Sequence, residues 1–335
     1  MSRVAVMGAG SWGTAFGMVL SDAGQEAVMW AREPEVQESI NSTHTNDLFH
    51  PGVMLPEQMR ATGDPAEALD GADLVILAIP AQTLAMNLTA WREYMGQDTV
   101  VVSLMKGIEL GTMRRMSQVI SEDGGIPADR VAVVSGPNLA REIAQRSPAA
   151  TTVACPNEES AKRLQDACTT GYFRPYWTTD VVGAEIGGSV KNVIALANGM
   201  AVGLGYGANA QASLITRGLA EMSRLGVALG ANQMTFLGLA GMGDLIATCS
   251  SPLSRNRTFG EHLGQGLSVD ETVAVTTQTC EGVKSCQPIL ELAKSHGVEM
   301  PITEQVVSVV HEGMSPSDML DKLMSRDTKP EVGAG

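Results

Sequence analysis

The chain has no apolar run long enough to cross a bilayer. Its most apolar window, 190–204, carries Lys191, Asn192 and Asn198, whereas a crossing helix needs about 20 predominantly apolar residues. That window reads as a buried helix, and no membrane insertion is expected. Cations are scarce too, with 23 Lys and Arg against 37 Asp and Glu, a formal charge of −14. This balance speaks against nucleic acid or an anionic membrane as the main partner. An anionic ligand would need a local basic focus within an acidic surface. The five cysteines, Cys155, Cys168, Cys249, Cys280 and Cys286, include no CxxC pair and accompany no His-rich cluster. Such a dispersed, odd set suits a reducing cytosol better than a disulfide framework or a zinc site, and no metal is expected. No basic segment followed by a cleavable apolar stretch opens the sequence, so a cytoplasmic location is expected. Repeats and low-complexity tracts are lacking, and 329–335 reads as a frayed tail.

What is present starts at once. At 335 residues the chain exceeds a comfortable single core, and two domains are expected. Val4-Ala5-Val6-Met7 reads as a buried parallel strand, followed by Gly8-Ala9-Gly10-Ser11-Trp12-Gly13 and an apolar segment of helical spacing that ends near Gly24. Strand, tight turn and helix form the context in which GxGxxG signals a dinucleotide. Gly8 permits the turn, Gly10 lets a pyrophosphate approach the backbone, and Gly13 lets helix and strand pack closely. The phosphates would sit on N–H groups at the helix start.

A second strand, 26–30, leads to Ala31-Arg32-Glu33. An acid at this place takes the ribose hydroxyls of NAD and an arginine takes the 2′-phosphate of NADP. Arg32 comes first, which inclines the reading to NADP, while a solvated Arg32–Glu33 pair is the alternative. The stretch 41–56 is polar and reads as a surface loop, with His44 and His50 on the surface. Apolar runs at 74–79, 99–103 and 131–134 end at Pro80, Lys106 and Ser135-Gly136-Pro137-Asn138. Ligands of open α/β sheets bind beyond the carboxyl ends of the strands, so these termini should face one crevice with Lys106 in it. Two more strands are expected at 150–154 and 172–177.

The texture changes near Asp180, a candidate helix cap, and from there to about 327 only helical spacing broken by glycines is found. Lys191 lies among small and apolar residues in the helix that follows. It either serves a purpose there or snorkels with its ammonium in water. In the next helix Arg217, Glu221 and Arg224 are expected to form ion pairs on a helix face. Gly238-Leu239-Ala240-Gly241-Met242-Gly243 precedes Asp244, which the glycines place near a helix start, where capping is its plainest role. Ser254-Arg255-Asn256 combines a hydroxyl, a guanidinium and an amide, a set suited to phosphate.

Together these segments resemble the bacterial-type NAD(P)-dependent glycerol-3-phosphate dehydrogenases. The resemblance is carried by GAGSWGTA at 8–15, KGIE at 106–109, SGPNLA at 135–140, GSVKN at 188–192, ITRGLAEM at 215–222, GLAGMGDLIATC at 238–249, SRNRTFG at 254–260 and EGV at 281–283. It implies an α/β Rossmann-type domain with a mostly parallel sheet followed by an all-α domain, in agreement with the change of texture near Asp180, which sets the two at 1–179 and 180–335. It implies NADPH- or NADH-dependent reduction of dihydroxyacetone phosphate to sn-glycerol 3-phosphate, and the reverse, on the route to phospholipid. Ser11, Trp12, Arg32, Lys106, Ala140, Arg255 and Glu281 match cofactor positions, and Thr279 matches one less closely. Lys106, Gly136, Asn138, Lys191, Asp244, Ser254, Arg255 and Asn256 match substrate positions, with Lys191 as proton donor and acceptor. A homodimer is left open. The sequence departs from the family at Asn138, where Ser or Thr is usual, and at Thr279-Cys280, where aliphatics are common. A reductase of the 2-hydroxyacid or 6-phosphogluconate type is the enzymatic alternative, and a nucleotide sensor without chemistry is the other.

Overall fold

Continuous apolar runs become the middle of one twisted sheet in the computed structural model, which describes residues 2–276, 280–328 and 330. The strands are β1 (Arg3–Met7), β2 (Glu26–Trp30), β3 (Arg60–Thr62), β4 (Leu74–Leu77), β5 (Val100–Ser103), β6 (Val131–Ser135), β7 (Ala149–Ala154) and β8 (Phe173–Thr178). Their order is β3-β2-β1-β4-β5-β6-β7-β8. Pairing is parallel except between β6 and β7. The strand order reverses between β1 and β4, so a crevice opens at their carboxyl ends. The one strand not expected from the sequence is β3.

Alternate residues of β1 face opposite layers, because side chains in a strand point to opposite faces in turn. Val4 and Val6 join Phe16, Leu20, Ile143 and Leu164, from α1 (Ser11–Asp22), α6 (Ala140–Ala144) and α7 (Glu158–Ala167). Ala5 and Met7 join Leu69, Leu84, Leu88 and Val119, from α3 (Pro65–Leu69), α4 (Leu84–Trp91) and α5 (Met116–Gly124). At the β2–β3 edge lies α2 (Pro34–Thr43).

From Val181 every regular element described is helical: α8 (Val181–Gly203), α9 (Ala208–Ala228), α10 (Asp244–Ser250), α11 (Arg255–Gly264), α12 (Val269–Val275), α13 (Glu281–Ser295), α14 (Pro301–Glu312) and α15 (Pro316–Met324). Asp180 caps α8 by accepting from Gly183 N. Almost all of α8 is buried, and other helices wrap around it. Glycine makes this close approach feasible. A Cβ on Gly199 would lie 2.0 Å from Arg257 O, and one on Gly260 would lie 2.2 Å from Leu196 O. The seam between sheet and helices is closed by Val133, Ala154, Val181, Ala184 and Ala240. Beside it the buried Glu185 accepts from Ser117 N at 2.7 Å and from Arg115 at 2.5 Å. Among the described residues no helix is long and apolar enough to cross a membrane.

Candidate active site

The glycine turn has the geometry its spacing calls for. Gly8 has φ +127°, and a Cβ there would fall 2.5 Å from Ala78 O. A Cβ on Gly13 would fall 2.0 Å from Gly8 O, while one on Gly10 meets nothing within 4 Å. The open side of Gly10 and the start of α1, which no side chain caps, leave room and N–H groups for an anion. Trp12, the second residue of α1, has its Nε1 buried without a partner. These features fit a dinucleotide pyrophosphate.

The segment 44–55 braces the same turn, contrary to its reading as a plain surface loop. Asn46 is buried and donates to Ala9 O and to Thr14 Oγ1, each at 2.9 Å. His50 is buried as well, and its Nε2–H donates to the carbonyl of Ser11 at 2.7 Å. Burial is the chief cause of its lowered pKa, with Arg141 adding to it. No spacing rule points to either residue, since each pairs with atoms more than thirty residues away. Arg32 lies beyond β2 with its side chain 81% exposed, paired to Glu33 at 2.8 Å.

Across the crevice, Lys106 follows β5 and its stem lies along α8, where Gly188 makes room. A Cβ at 188 would stand 3.4 Å from Lys106 Cγ. Lys106 Nζ donates to Asp244 Oδ2 at 2.5 Å and to Gly136 O at 3.1 Å. Lys191 Nζ lies 2.9 Å from Asp244 Oδ1 and 2.7 Å from Thr248 Oγ1. Thr248, one turn after Asp244 in α10, donates to Asp244 Oδ1 at 3.2 Å. A π-helical turn, Leu239–Gly243, delivers Asp244 to this place, and such turns recur at functional sites. So Asp244 does more than begin a helix.

Lys191 is only 7% exposed; it does not snorkel. Burial, seconded by Lys106, lowers its pKa to about 8 despite the pull of Asp244. Burial alone would raise the Asp244 carboxyl, but the two lysines outweigh it and hold the group below its ordinary value. Two of the three Lys191 N–H groups have acceptors in Asp244 and Thr248, which leaves the third for a substrate oxygen.

A chain of amides links this cluster to the helices beyond. Asn192 accepts from Asn256 Nδ2 at 2.9 Å, and Asn256 Oδ1 accepts from Gly282 N and the Cys280 thiol, both at 2.9 Å. Ser254 caps α11 by accepting from Arg257 N, and Arg255 is exposed at the start of that helix. Asn138 donates to Thr151 Oγ1 at 2.9 Å, while its Oδ1 and Ser135 Oγ are buried without partners. Ala140 opens α6. Glu281 opens α13, its carboxyl raised by burial against the opposing charges of Lys284 and Arg255. Thr279 lies outside the described residues. The structure thus gathers Lys106, Gly136, Lys191 and Asp244 in direct contact, with Asn256 joined through Asn192, and sets Arg32 apart at the β2 end. Asn192 and Thr248 complete the cluster without having been singled out in the sequence. A polar residue every fourth position from Asp244 on an apolar helix is the signal that could have found Thr248.

A glycine turn built for a pyrophosphate, facing a buried lysine–carboxylate cluster, defines a dinucleotide-dependent oxidoreductase. The chain matches the NAD-dependent glycerol-3-phosphate dehydrogenase N-terminus over residues 3–161 and the C-terminus of the same family over residues 180–321. It is 62% identical over 329 residues to the glycerol-3-phosphate dehydrogenase (NAD(P)+) of Streptomyces griseus, covering 98% of each chain. It is 61% identical over 332 residues to that of Thermobifida fusca, covering 99% of each. The crystal structure of glycerol-3-phosphate dehydrogenase from Coxiella burnetii superposes with a TM-score of 0.92 at 36% identity, covering 97% of this chain and 99% of that one. The chain belongs to the NAD-dependent glycerol-3-phosphate dehydrogenase family, and its cofactor is NAD or NADP.

Proposed function

We propose that this protein reduces dihydroxyacetone phosphate to sn-glycerol 3-phosphate, reversibly, with Lys191 as proton donor and acceptor. The observation that carries the assignment is the buried Lys191–Asp244–Lys106 cluster at the carboxyl edge of the sheet. A reduced nicotinamide, when bound, supplies hydride. The protein must then supply a proton to the new alkoxide, and the free N–H of Lys191 is placed to do so. Before transfer the same ammonium polarises the ketone, an effect that grows where water is excluded. Asp244 and Thr248 hold its direction. Two ammonium groups on one carboxylate leave a net positive charge, which suits a phosphorylated substrate.

Lys106, Gly136, Asn138, Ser254, Arg255 and Asn256 hold that substrate in this reading, and the Arg255 fork takes its phosphate. Gly8, Gly10, Ser11, Trp12 and Gly13 hold the dinucleotide pyrophosphate, with Arg32, Lys106, Ala140, Arg255, Thr279 and Glu281 completing the cofactor contacts. The product supplies glycerophospholipid synthesis in the cytoplasm. We assign residues 1–179 and 180–335 to two domains because one hydrophobic layer set surrounds the sheet and another surrounds α8. A homodimer would cover exposed Leu237, Ile246 and Leu253 of the helical half; light scattering of the purified protein tests it.

The decisive assay follows NADPH absorbance with dihydroxyacetone phosphate and, separately, with unphosphorylated dihydroxyacetone. Rapid oxidation with the first alone is expected. Comparable kcat/KM for both would remove the phosphate assignment, and no turnover of either would remove the reaction.

A further inference from the structure

The segment that follows β5 belongs to both halves of the molecule. Lys106 holds Asp244 of α10, and Ile108 is fully buried in the hydrophobic core of the helical half. Farther on, Arg115 and Ser117 hold Glu185 of α8. On the sheet side the segment is gripped by Gln82, in the short turn Ala81–Thr83 that follows β4. Gln82 Nε2 donates to Ile108 O at 2.8 Å, and Gln82 Oε1 accepts from Leu110 N at 2.9 Å. One carbonyl and one N–H admit a single orientation of the amide. A side chain thus pairs with alternate residues of the segment as a neighbouring strand would.

The grip matters because of what precedes it. Lys106 lies two residues before Ile108. Between them Gly107 is packed so closely that a Cβ there would stand 3.0 Å from Ala81 Cβ and 3.1 Å from Ser285 Oγ. A displacement at Ile108 is therefore passed on to Lys106. Asp244 is shared, with Lys106 on one oxygen at 2.5 Å and Lys191 on the other at 2.9 Å. Withdrawing Lys106 leaves the carboxylate to Lys191 and takes a like charge from its side. Nothing in composition or spacing singles out Gln82, because its two partners lie 26 and 28 residues farther along the chain.

We propose that Gln82 is a positioning residue for the reaction: its amide holds Ile108 and Leu110 so that Lys106 stays on Asp244 beside Lys191. This rests on the reading of Lys191 as proton donor and acceptor. Gln82 acts through Lys106 and carries out no step of the chemistry itself. The residue after one strand thereby sets the charge balance at the end of the next, and through it the protonation of a lysine on the helical half.

Gln82→Met keeps the length of the side chain and removes both hydrogen bonds. For it and for wild type, kcat and KM for dihydroxyacetone phosphate are measured over a pH range that brackets the Lys191 transition. The titratable groups that face Lys191 are Asp244, Lys106 and Cys249, and of these Lys106 is the one that hangs on the grip. Once loosened, Lys106 repels the Lys191 ammonium less and leaves Asp244 to it, so the transition should move up by about half a unit or more. A fall in kcat/KM of about 10- to 100-fold should accompany it, as for a reacting group displaced by an ångström. Lys106→Met supplies the control. In that background Gln82→Met should cost nothing further in either quantity, because residues acting as one are not additive. Should Gln82→Met fail to fold, Gln82→Asn, a methylene too short to reach both partners, carries the same comparison. Wild-type kcat/KM, a fall with the transition unmoved, or a loss that adds in full to that of Lys106→Met makes Gln82 merely structural and overturns the proposal. If wild type itself shows no transition in kcat, Lys191 is not the proton donor, and the role of Gln82 falls with that reading.

Discussion

Lys106 reaches from the end of β5 across the seam to Asp244, its Nζ 2.5 Å from Oδ2. One carboxylate thereby serves two buried ammonium groups contributed by different halves of the molecule, since Lys191 holds the other oxygen. The bridge fixes the distance between sheet and helices where the reaction takes place. It also means that neither lysine titrates alone.

The first prediction concerns pH. The Lys191 pKa, about 8, is depressed from 10.5 because burial disfavours the ammonium. Ketone reduction needs the ammonium, so kcat for reduction should hold below pH 8 and fall as pH rises through it. Glycerol 3-phosphate oxidation needs the neutral amine and should rise through the same range. Initial rates in both directions across pH 6–10 check this; the range is roughly two units either side of the transition. Parallel profiles in the two directions would place the proton transfer elsewhere.

Removing members of the cluster should have different consequences. Lys191→Ala should lower kcat by about 10²–10⁴-fold with dinucleotide affinity nearly unchanged. Asp244→Asn should be worse for the fold, because it leaves two ammonium groups facing each other without their counter-charge. A loss of about 3–5 kcal/mol is typical when one partner of a buried pair is removed. In that variant the pH transition of the residual activity should move to lower pH. Denaturant titration and the pH profile measure the two effects separately, and a variant as stable as wild type would show that the carboxylate is dispensable.

Arg32 should decide between the cofactors. Its guanidinium is exposed and held by Glu33, so an incoming 2′-phosphate must compete with that carboxylate. Arg32→Ala should weaken NADPH by about tenfold and NADH little, a modest figure because exposed ion pairs are screened. Glu33→Gln should improve NADPH binding. Fluorescence titration of both cofactors tests this, and equal losses for Arg32→Ala would free the residue from any role at the 2′-phosphate.

Much of this arrangement is legible before any coordinates. Strands β4, β5 and β6 are fully buried and β1 is buried from Val4 on, and buried parallel strands announce themselves as unbroken apolar runs. By contrast β3 is three residues at an edge, one of them exposed, too short to show any period. Lys191 stands out as a charge inside an apolar helix. What holds it does not stand out, because its contact to Thr248 spans 57 residues of chain. His50 and Asn46 escape notice for the same reason: a polar stretch looks solvated until the turn it braces is in place. The family motifs mark Lys106, Asp244 and Asn256 one position at a time, and nothing in their spacing says that the three touch one network.

Glu221 is the clearest case of a residue whose role reverses on folding. In the sequence it reads as one of three charges pairing on a helix face. In the structure it is 2% exposed, and Arg224 turns away to donate to Glu299 O at 2.9 Å. The Glu221 carboxylate accepts from Ile302 N at 2.6 Å and from Thr303 N and Oγ1, both at 3.2 Å, and so caps α14 from the side of α9. Burial pushes its pKa up to about 7, although these hydrogen bonds and Arg224 oppose the shift. The folded protein therefore binds a proton between pH 4.5 and about 7 that the unfolded chain does not. Stability from this group is present in full near the lower limit and is lost as pH rises through the upper one, by about 3 kcal/mol at most. Glu221→Gln removes the titration and leaves a side chain of nearly the same volume. Urea unfolding of both proteins from pH 5 to 8, on either side of the folded pKa, should show wild type losing ground to the variant as pH rises. If the difference between them stays constant over that range, Glu221 is ionised throughout, and the dipole of α14 outweighs its burial.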